Sequence, residues 1–130
     1  MENKICCRCK KERPLDEFNN SSINKSGKRS HCKECRRDFL YKKRYGITVK
    51  DYNDMRDKQN DKCGICGKEE YTGRGKYWHI DHCHDTGEVR GLLCNHCNTS
   101  LSMIEGWLPK NIEKLREYHP KFAKFKRDDL

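Results

Sequence analysis

The stretch HIDHCHDTGEVRGLLCNHCN, residues 79–98, places an acid, Asp81, a base, His82, and an amide carrier, Asn98, inside a cysteine frame. Cys63 and Cys66 form a CxxC pair upstream of it, and Cys94 and Cys97 form another immediately before Asn98. Thiolates in a CxxC turn can both point at one tetrahedral Zn2+, and two such turns complete a four-cysteine site. Around these ligands, Tyr77 to His82 carries aromatic and branched residues and reads as a strand. Asp85-Thr86-Gly87 then reads as a turn and Val89 to Leu93 as the returning strand. A helix is expected from about Asn95 to Glu105, with Gly106 as its stop. Asp81 and His82 would leave a regular strand on opposite faces, so their joint use requires the strand to bend or end there. The loop from Cys83 to Gly87 supplies that ending.

The composition explains why such a frame is needed. Only 33% of the 130 residues are hydrophobic and 38% are charged. A chain of this kind buries little core and depends on metal or disulfides to fold. Eight of the ten cysteines fall as four CxxC pairs: Cys6/Cys9, Cys32/Cys35, Cys63/Cys66 and Cys94/Cys97. That spacing favours two structural zinc sites over a disulfide framework. With no signal peptide and no long apolar stretch, the expected compartment is a reducing cytoplasm, without membrane contact. Cys7 and Cys83 are left as free thiols in turns, and His31 is not required as a ligand.

The net charge of +9 is unevenly spread, with 18 Lys/Arg against 10 Asp/Glu in residues 1–62 and 11 against 10 in residues 63–130. Lys25, Lys28, Arg29, Lys33, Arg36, Arg37, Lys42, Lys43 and Arg44 are opposed within their run only by Glu34 and Asp38. Such a run is commonly just a solvated face. Beside a site able to cleave phosphodiesters, it reads as an arm that grips DNA phosphates without reading sequence.

Four segments are expected. Residues 1–35 form an N-terminal zinc ribbon, 36–62 a basic helical linker, 63–106 the core with its four-cysteine zinc, and 107–130 a C-terminal helix and tail. Within the linker, residues 36–44 read as one helix ended by Gly46, and Thr48 with Asp51 as the capping box of a second helix over 49–60. Tyr52 and Met55 share a face of that helix. A last helix over 109–118 starts at Pro109, with Ile112 and Leu115 on one side. The tail beyond Pro120 is expected to be mobile, and Trp78 and Trp107 to pack the core.

The run DHCHDTGEVRGLLCNHCN with the upstream CGIC resembles the recombination endonuclease VII family of phage and bacterial nucleases, within the HNH or ββα-metal (His-Me finger) group. The likeness is strong over 63–106 and weaker over YGITVKDYNDM. CCRC to CKEC is similar to a ribbon in some smaller phage members. The resemblance implies an α+β chain: a small zinc-stabilised ββα-metal nuclease fold preceded by a zinc ribbon and basic helices. It implies that Asp81 and Asn98 bind a catalytic Mg2+ or Mn2+, that His82 is the general base, and that Cys63, Cys66, Cys94 and Cys97 hold zinc. It also implies DNA as the partner and the bacterial host cytoplasm, with a phage or mobile-element origin, as the setting. The chemistry agrees: a hard cation needs few protein oxygens when phosphate and water supply the rest, and imidazole can take a proton from water near neutral pH.

His84 could contact the scissile phosphate or bond within its loop, and Arg90 could reach phosphate or orient the site. His79 and His96 read as structural. Where some relatives have a carboxylate one turn after the Asn, this chain has Leu101, and Glu105 could only partly substitute. Junction-resolving members also carry a long helical C-terminal region that builds a dimer, whereas residues 107–130 are all that follow Gly106 here. One module would nick, and double-strand cleavage would need a homodimer or two visits. Two other readings stay open. One is a non-catalytic zinc-ribbon nucleic-acid-binding protein, and the other a cross-braced interaction module in which the cysteine pairs interleave.

Overall fold

The computed structural model describes residues 2–124. The chain forms two compact units: residues up to Lys58 together with His82–Val89, and Gln59–Asp81 together with Arg90 onward.

In the first unit, β1 (Asn3–Ile5) pairs antiparallel with β2 (Glu12–Pro14), Ile5 lying opposite Glu12. A 3-10 turn at Leu15–Glu17 leads to β3 (Phe18–Asn20), which pairs antiparallel with β4 (Lys28–Cys32) in an irregular register, Phe18 opposite Cys32 and Asn20 opposite Lys28. Strands this short offer few apolar positions. Their core is therefore Phe18 packed on the sulfur cluster, with Cys6 and Cys32 buried and Cys9 and Cys35 beside them.

Helix α1 (Lys33–Tyr45) begins before residue 36, where the sequence placed it, because Cys32 caps it: the Cys35 N–H donates to Cys32 Sγ. The pair read as a ribbon knuckle thus starts a helix. Gly46 ends α1 in the left-handed region at φ 69°, its N–H bonding the Lys42 carbonyl at 3.1 Å. The expected capping box opens α2 (Val49–Lys58). Thr48 N–H donates to Asp51 Oδ2 at 2.7 Å, and Asp51 N–H to Thr48 Oγ1 at 3.0 Å. The two helices are joined by Val49 N–H on Asp38 Oδ1 at 3.1 Å and by Tyr52, 1% exposed, whose ring lies 5.4 Å from that of Tyr41.

Strands β5 (His79–His82) and β6 (Val89–Leu93) pair as a two-stranded sheet, β5 starting after Trp78 rather than at Tyr77. In the second unit, Trp78, Ile80, Leu92, Leu93 and Ile112 are buried with three cysteines of its cluster. Gln59 acts as an extra strand partner. Its Oε1 accepts from Leu92 N–H and its Nε2 donates to the Leu92 carbonyl, both at 2.9 Å. A Cβ on Gly64 would meet the Leu92 oxygen at 3.2 Å, and one on Gly91 would meet Gln59 Oε1 at 3.0 Å, so glycine permits both approaches.

Two expectations are corrected here. The helix over 95–105 and the helix over 109–118 are one helix, α3 (Asn95–Tyr118), running through Gly106 and Pro109. Gly106 is absent from the glycines with positive φ, so it does not stop the helix, and Pro109 costs one backbone donor without ending it. Trp78 is buried, its Nε1 donating to Asp61 Oδ1 at 2.8 Å, but Trp107 is 50% exposed on α3. Past α3, Pro120–Phe122 at the start of the expected tail folds as a 3-10 turn, with Arg116 Nε on the Ala123 carbonyl at 3.2 Å. Residues 125–130, also assigned to that tail, lie outside the described residues. No described helix is long and apolar enough to cross a membrane.

Because Gly106 sits inside a continuous helix with open space where a Cβ would go, Gly106→Ala should stabilise the protein by about 0.5–1 kcal/mol in urea unfolding. A loss of stability would place a helix stop there.

Candidate active site and metal centres

The cysteines gather sequentially, Cys6, Cys9, Cys32 and Cys35 in one cluster and Cys63, Cys66, Cys94 and Cys97 in the other, the sulfurs of each within 4.8 Å of one another. Cross-bracing is therefore excluded. Zn–S bonds of ~2.3 Å in a tetrahedron imply S···S edges of ~3.8 Å. Cys6–Cys35 lies at 3.8 Å and Cys66–Cys94 at 3.9 Å. The residues present fit a zinc ion in each cluster.

The two clusters are built alike. In the first, Cys6 N–H bonds the Lys11 carbonyl at 3.0 Å and Cys7 N–H the Ser30 carbonyl at 2.9 Å. In the second, Cys63 N–H bonds the Lys68 carbonyl at 2.9 Å and Gly64 N–H the Leu92 carbonyl at 3.0 Å. Lys10 and Gly67 take the same left-handed turn position, at φ 59° and 70°. Cys32 N–H donates to Cys6 Sγ and Cys94 N–H to Cys63 Sγ, each at 3.3 Å. Cys94 caps α3 as Cys32 caps α1.

These donors set the charge on sulfur. Burial opposes ionisation of Cys6, but N–H groups of Cys32, Cys9 and Arg8 outweigh it and bring the thiol down to about 6. Cys63 is likewise buried and likewise brought to about 6 by the N–H groups of Cys94, Ile65 and Cys66. Burial and then the neighbouring sulfurs push Cys35 and Cys97 up to about 12. One thiolate per cluster is thus stabilised by the protein itself. A dication favours the ionised form of the raised thiols of Cys35 and Cys97.

Asp81 is buried on β5, and its carboxylate is gripped by Arg90 of β6: Nε donates to Oδ2 at 2.8 Å and Nη2 to Oδ1 at 2.9 Å. The same guanidinium donates to Glu105 of α3, through Nη1 to Oε1 and through Nη2 to Oε2 at 3.2 Å. Glu105 first and Asp81 second raise the Arg90 pKa, so it stays charged. Asp81, Arg90 and Leu101 line a cleft of about 390 Å3 with Gly64, Ile65 and Leu92. Each carboxylate oxygen has two lone pairs, and Arg90 occupies one on each. Asp81 keeps free carboxylate lone pairs, and half-buried Asn98 on the first turn of α3 carries a carboxamide oxygen, both of them donor types that hard divalent cations take.

His82 ends β5 and takes different neighbours from Asp81, as strand alternation requires. Its ring lies 4.9 Å from that of His84 and 5.4 Å from that of Tyr45. The turn that follows is closed by Cys83 N–H on the Glu88 carbonyl at 2.8 Å and Gly87 N–H on the Cys83 carbonyl at 2.7 Å. His79 accepts or donates at Nε2 to the Tyr71 hydroxyl at 3.0 Å, and His96 is exposed.

Of the basic run, Lys25, Arg29, Lys33, Lys43 and Arg44 are exposed, while Arg36 and Arg37 are half-buried on α1. Lys28 is tied to Asn20 Oδ1 at 2.9 Å and Lys42 to Asp38 at 2.8 Å. Gln59, Glu105 and Tyr45 carry the geometry and were not singled out as site residues from sequence. Only Glu105, as a carboxylate near the Asn98 turn, gave any signal there.

A family model described as recombination endonuclease VII matches residues 38–121. This chain belongs to the recombination endonuclease VII family. The match includes both cysteine pairs of the second cluster, Asp81, His82 and Asn98, and reaches back into α1. The Gene 59 protein of Mycobacterium phage D29 is 42% identical over 72 residues, which are 55% of this chain and 41% of that protein. The Gene 59 protein of Mycobacterium phage L5 is 44% identical over 69 residues, 53% of this chain and 39% of that protein. The chain thus spans about two-fifths of the length of the curated relatives it matches. Among solved structures, the ββα-Me type II restriction endonuclease Hpy99I is similar at 29% identity, with 90% of this chain and 66% of that one covered and a TM-score of 0.30. At that score the two do not superpose as wholes.

Purified protein should carry two zinc equivalents by atomic absorption, and Cys6→Ser and Cys63→Ser should each lose one. Since structural zinc can contribute ~10–16 kcal/mol in small modules, the Cys63→Ser variant should also lose the cooperative unfolding transition of its unit. A fully folded variant retaining both metals would refute the assignment.

Proposed function

We propose that this chain is a metal-dependent DNA endonuclease whose site is Asp81, His82 and Asn98. The observation that carries the reading is the placement of these three in a chain of this family. A buried carboxylate and an imidazole stand at consecutive positions where β5 ends, and β6 leads through Cys94 into the helix whose first turn bears the carboxamide. Mg2+ or Mn2+ held by Asp81 and Asn98 would, when bound, stabilise negative charge on the phosphate and on the leaving oxygen.

The protein's own groups do the rest. A nitrogen of His82 takes a proton from water as the water oxygen bonds to phosphorus. The bond from phosphorus to the 3′ oxygen breaks, and that oxygen gains a proton from solvent. The products are a 5′ phosphate and a 3′ hydroxyl. Arg90, held between Asp81 and Glu105, orients the carboxylate rather than reaching for substrate. His84 lies beside the base, within reach of a phosphate placed there. Lys25, Arg29, Lys33, Lys43 and Arg44 serve as the phosphate grip with Arg36 and Arg37, and Lys28 and Lys42 join only by releasing Asn20 and Asp38. A homodimer, or successive visits, would convert nicking into double-strand cleavage in the cytoplasm of a bacterial host.

One observation favours a second reading, a zinc protein that only binds nucleic acid: Arg90 engages both oxygens of Asp81, the geometry of a structural ion pair. Cleavage assays with Mg2+ or EDTA on supercoiled plasmid, linear duplex and a four-way junction separate the two. Mg2+-dependent cutting is expected, and His82→Ala should slow it by roughly 10²-fold or more with DNA affinity unchanged within a few-fold. No cutting of any substrate, with salt-sensitive binding retained, would favour the second reading.

A further inference from the structure

The neighbours of His82 within its own unit lead back into the core of that unit. Its imidazole meets the ring of Tyr45 at 5.4 Å and 61°, an edge-on contact. Tyr45 is the last residue of α1, and its ring lies 6.4 Å from that of Tyr41, one turn earlier on the same helix. Tyr41 in turn packs at 5.4 Å on Tyr52 of α2, which is 1% exposed. A line of aromatic rings therefore connects a buried anchor to the imidazole. Helix α1 is fixed at both ends, by the Cys32 cap in the sulfur cluster and by the left-handed Gly46.

An imidazole at the end of a strand has two rotatable bonds and several staggered states open to it. A ring wall on one side removes some of them, and aromatic pairs prefer edge-on or offset geometry over others. We infer that Tyr45 is a positioning residue for His82, holding the imidazole in the orientation from which it accepts a proton. This inference rests on the general-base reading of His82. The contact is ring against ring, so it needs the aromatic plane of Tyr45 and not its hydroxyl. Tyr45 also adds no charge, so its loss should leave phosphate binding alone.

The test uses the zinc-loaded chain of residues 1–130 with four variants: Tyr45→Phe, Tyr45→Leu, Tyr45→Ala and His82→Ala. Tyr45→Phe should keep kcat within about twofold, while Leu and Ala should lower it about three- to tenfold with KM and DNA affinity unchanged. In the NMR spectrum, the His82 ring protons, assigned by their loss in His82→Ala, should move in Leu and Ala and stay in Phe. Should Ala fail to fold, the comparison of Leu with Phe carries the test. If Leu matches Phe in kcat and in the His82 resonances, Tyr45 only fills space and the proposal is overturned. If KM rises while kcat holds, Tyr45 belongs to the DNA surface and the proposal is again overturned. If His82→Ala cuts at the full rate, the general-base reading itself has failed, and that arm distinguishes the two failures.

Discussion

Four sulfurs drawn within 4.8 Å of one another cannot all carry charge in a largely buried setting unless a cation stands among them. Both units are organised around that constraint. The backbone amides lower one thiol in each cluster, Cys6 and Cys63, while burial and the neighbouring sulfurs raise Cys35 and Cys97. With Zn2+ bound, a hairpin and a helix are fixed in each unit, because the second CxxC pair is also the helix start. Everything on the first turn of each helix inherits its place from the metal. Asn98 follows Cys97 directly, and Lys33, Arg36 and Arg37 surround Cys35.

The strongest signals in the sequence were those with a local physical cause. Ligand spacing gave the cluster membership, because a CxxC turn can point only at something close. Val89–Leu93 was legible as a strand because its residues are mostly branched or apolar, and the Thr48–Asp51 box because its two hydrogen bonds lie within four residues. Signals that depend on tertiary packing misled. Gly106 and Pro109 are the residues that end helices in isolation, but Ile112, 1% exposed, is anchored beyond them, and α3 continues to reach it. The roles of Gln59 and Tyr45 were illegible for a related reason. A glutamine that completes a strand, or a tyrosine that walls an imidazole, looks like any other polar or aromatic residue until its distant partner is known.

Asp81 and His82 show how adjacent residues can be kept chemically separate. Strand alternation sends one toward Arg90 and the other toward aromatic rings. Asp81 meets one guanidinium through both of its carboxylate oxygens. An imidazole packed beside aromatic rings is oriented through its faces and edges, by contacts that add no charge. The strand ends at His82, and the turn at Cys83–Gly87 closes directly after it.

Leu101 and Glu105 bring the helix into the same electrostatic account. Leu101 stands one turn after Asn98 and lines the cleft with an apolar side chain. Glu105, one turn further, meets Arg90 instead of the cleft. Asp81, Arg90 and Glu105 together carry one negative charge, against two for the acids alone. Glu105 therefore shares the guanidinium with Asp81, and neither acid has that positive charge to itself. This arrangement depends on α3 being unbroken. Were the helix to end at Gly106, Glu105 would sit in a frayed final turn and could not hold Arg90 from that side, so the continuity of the helix and the charge balance at Asp81 are one structural fact.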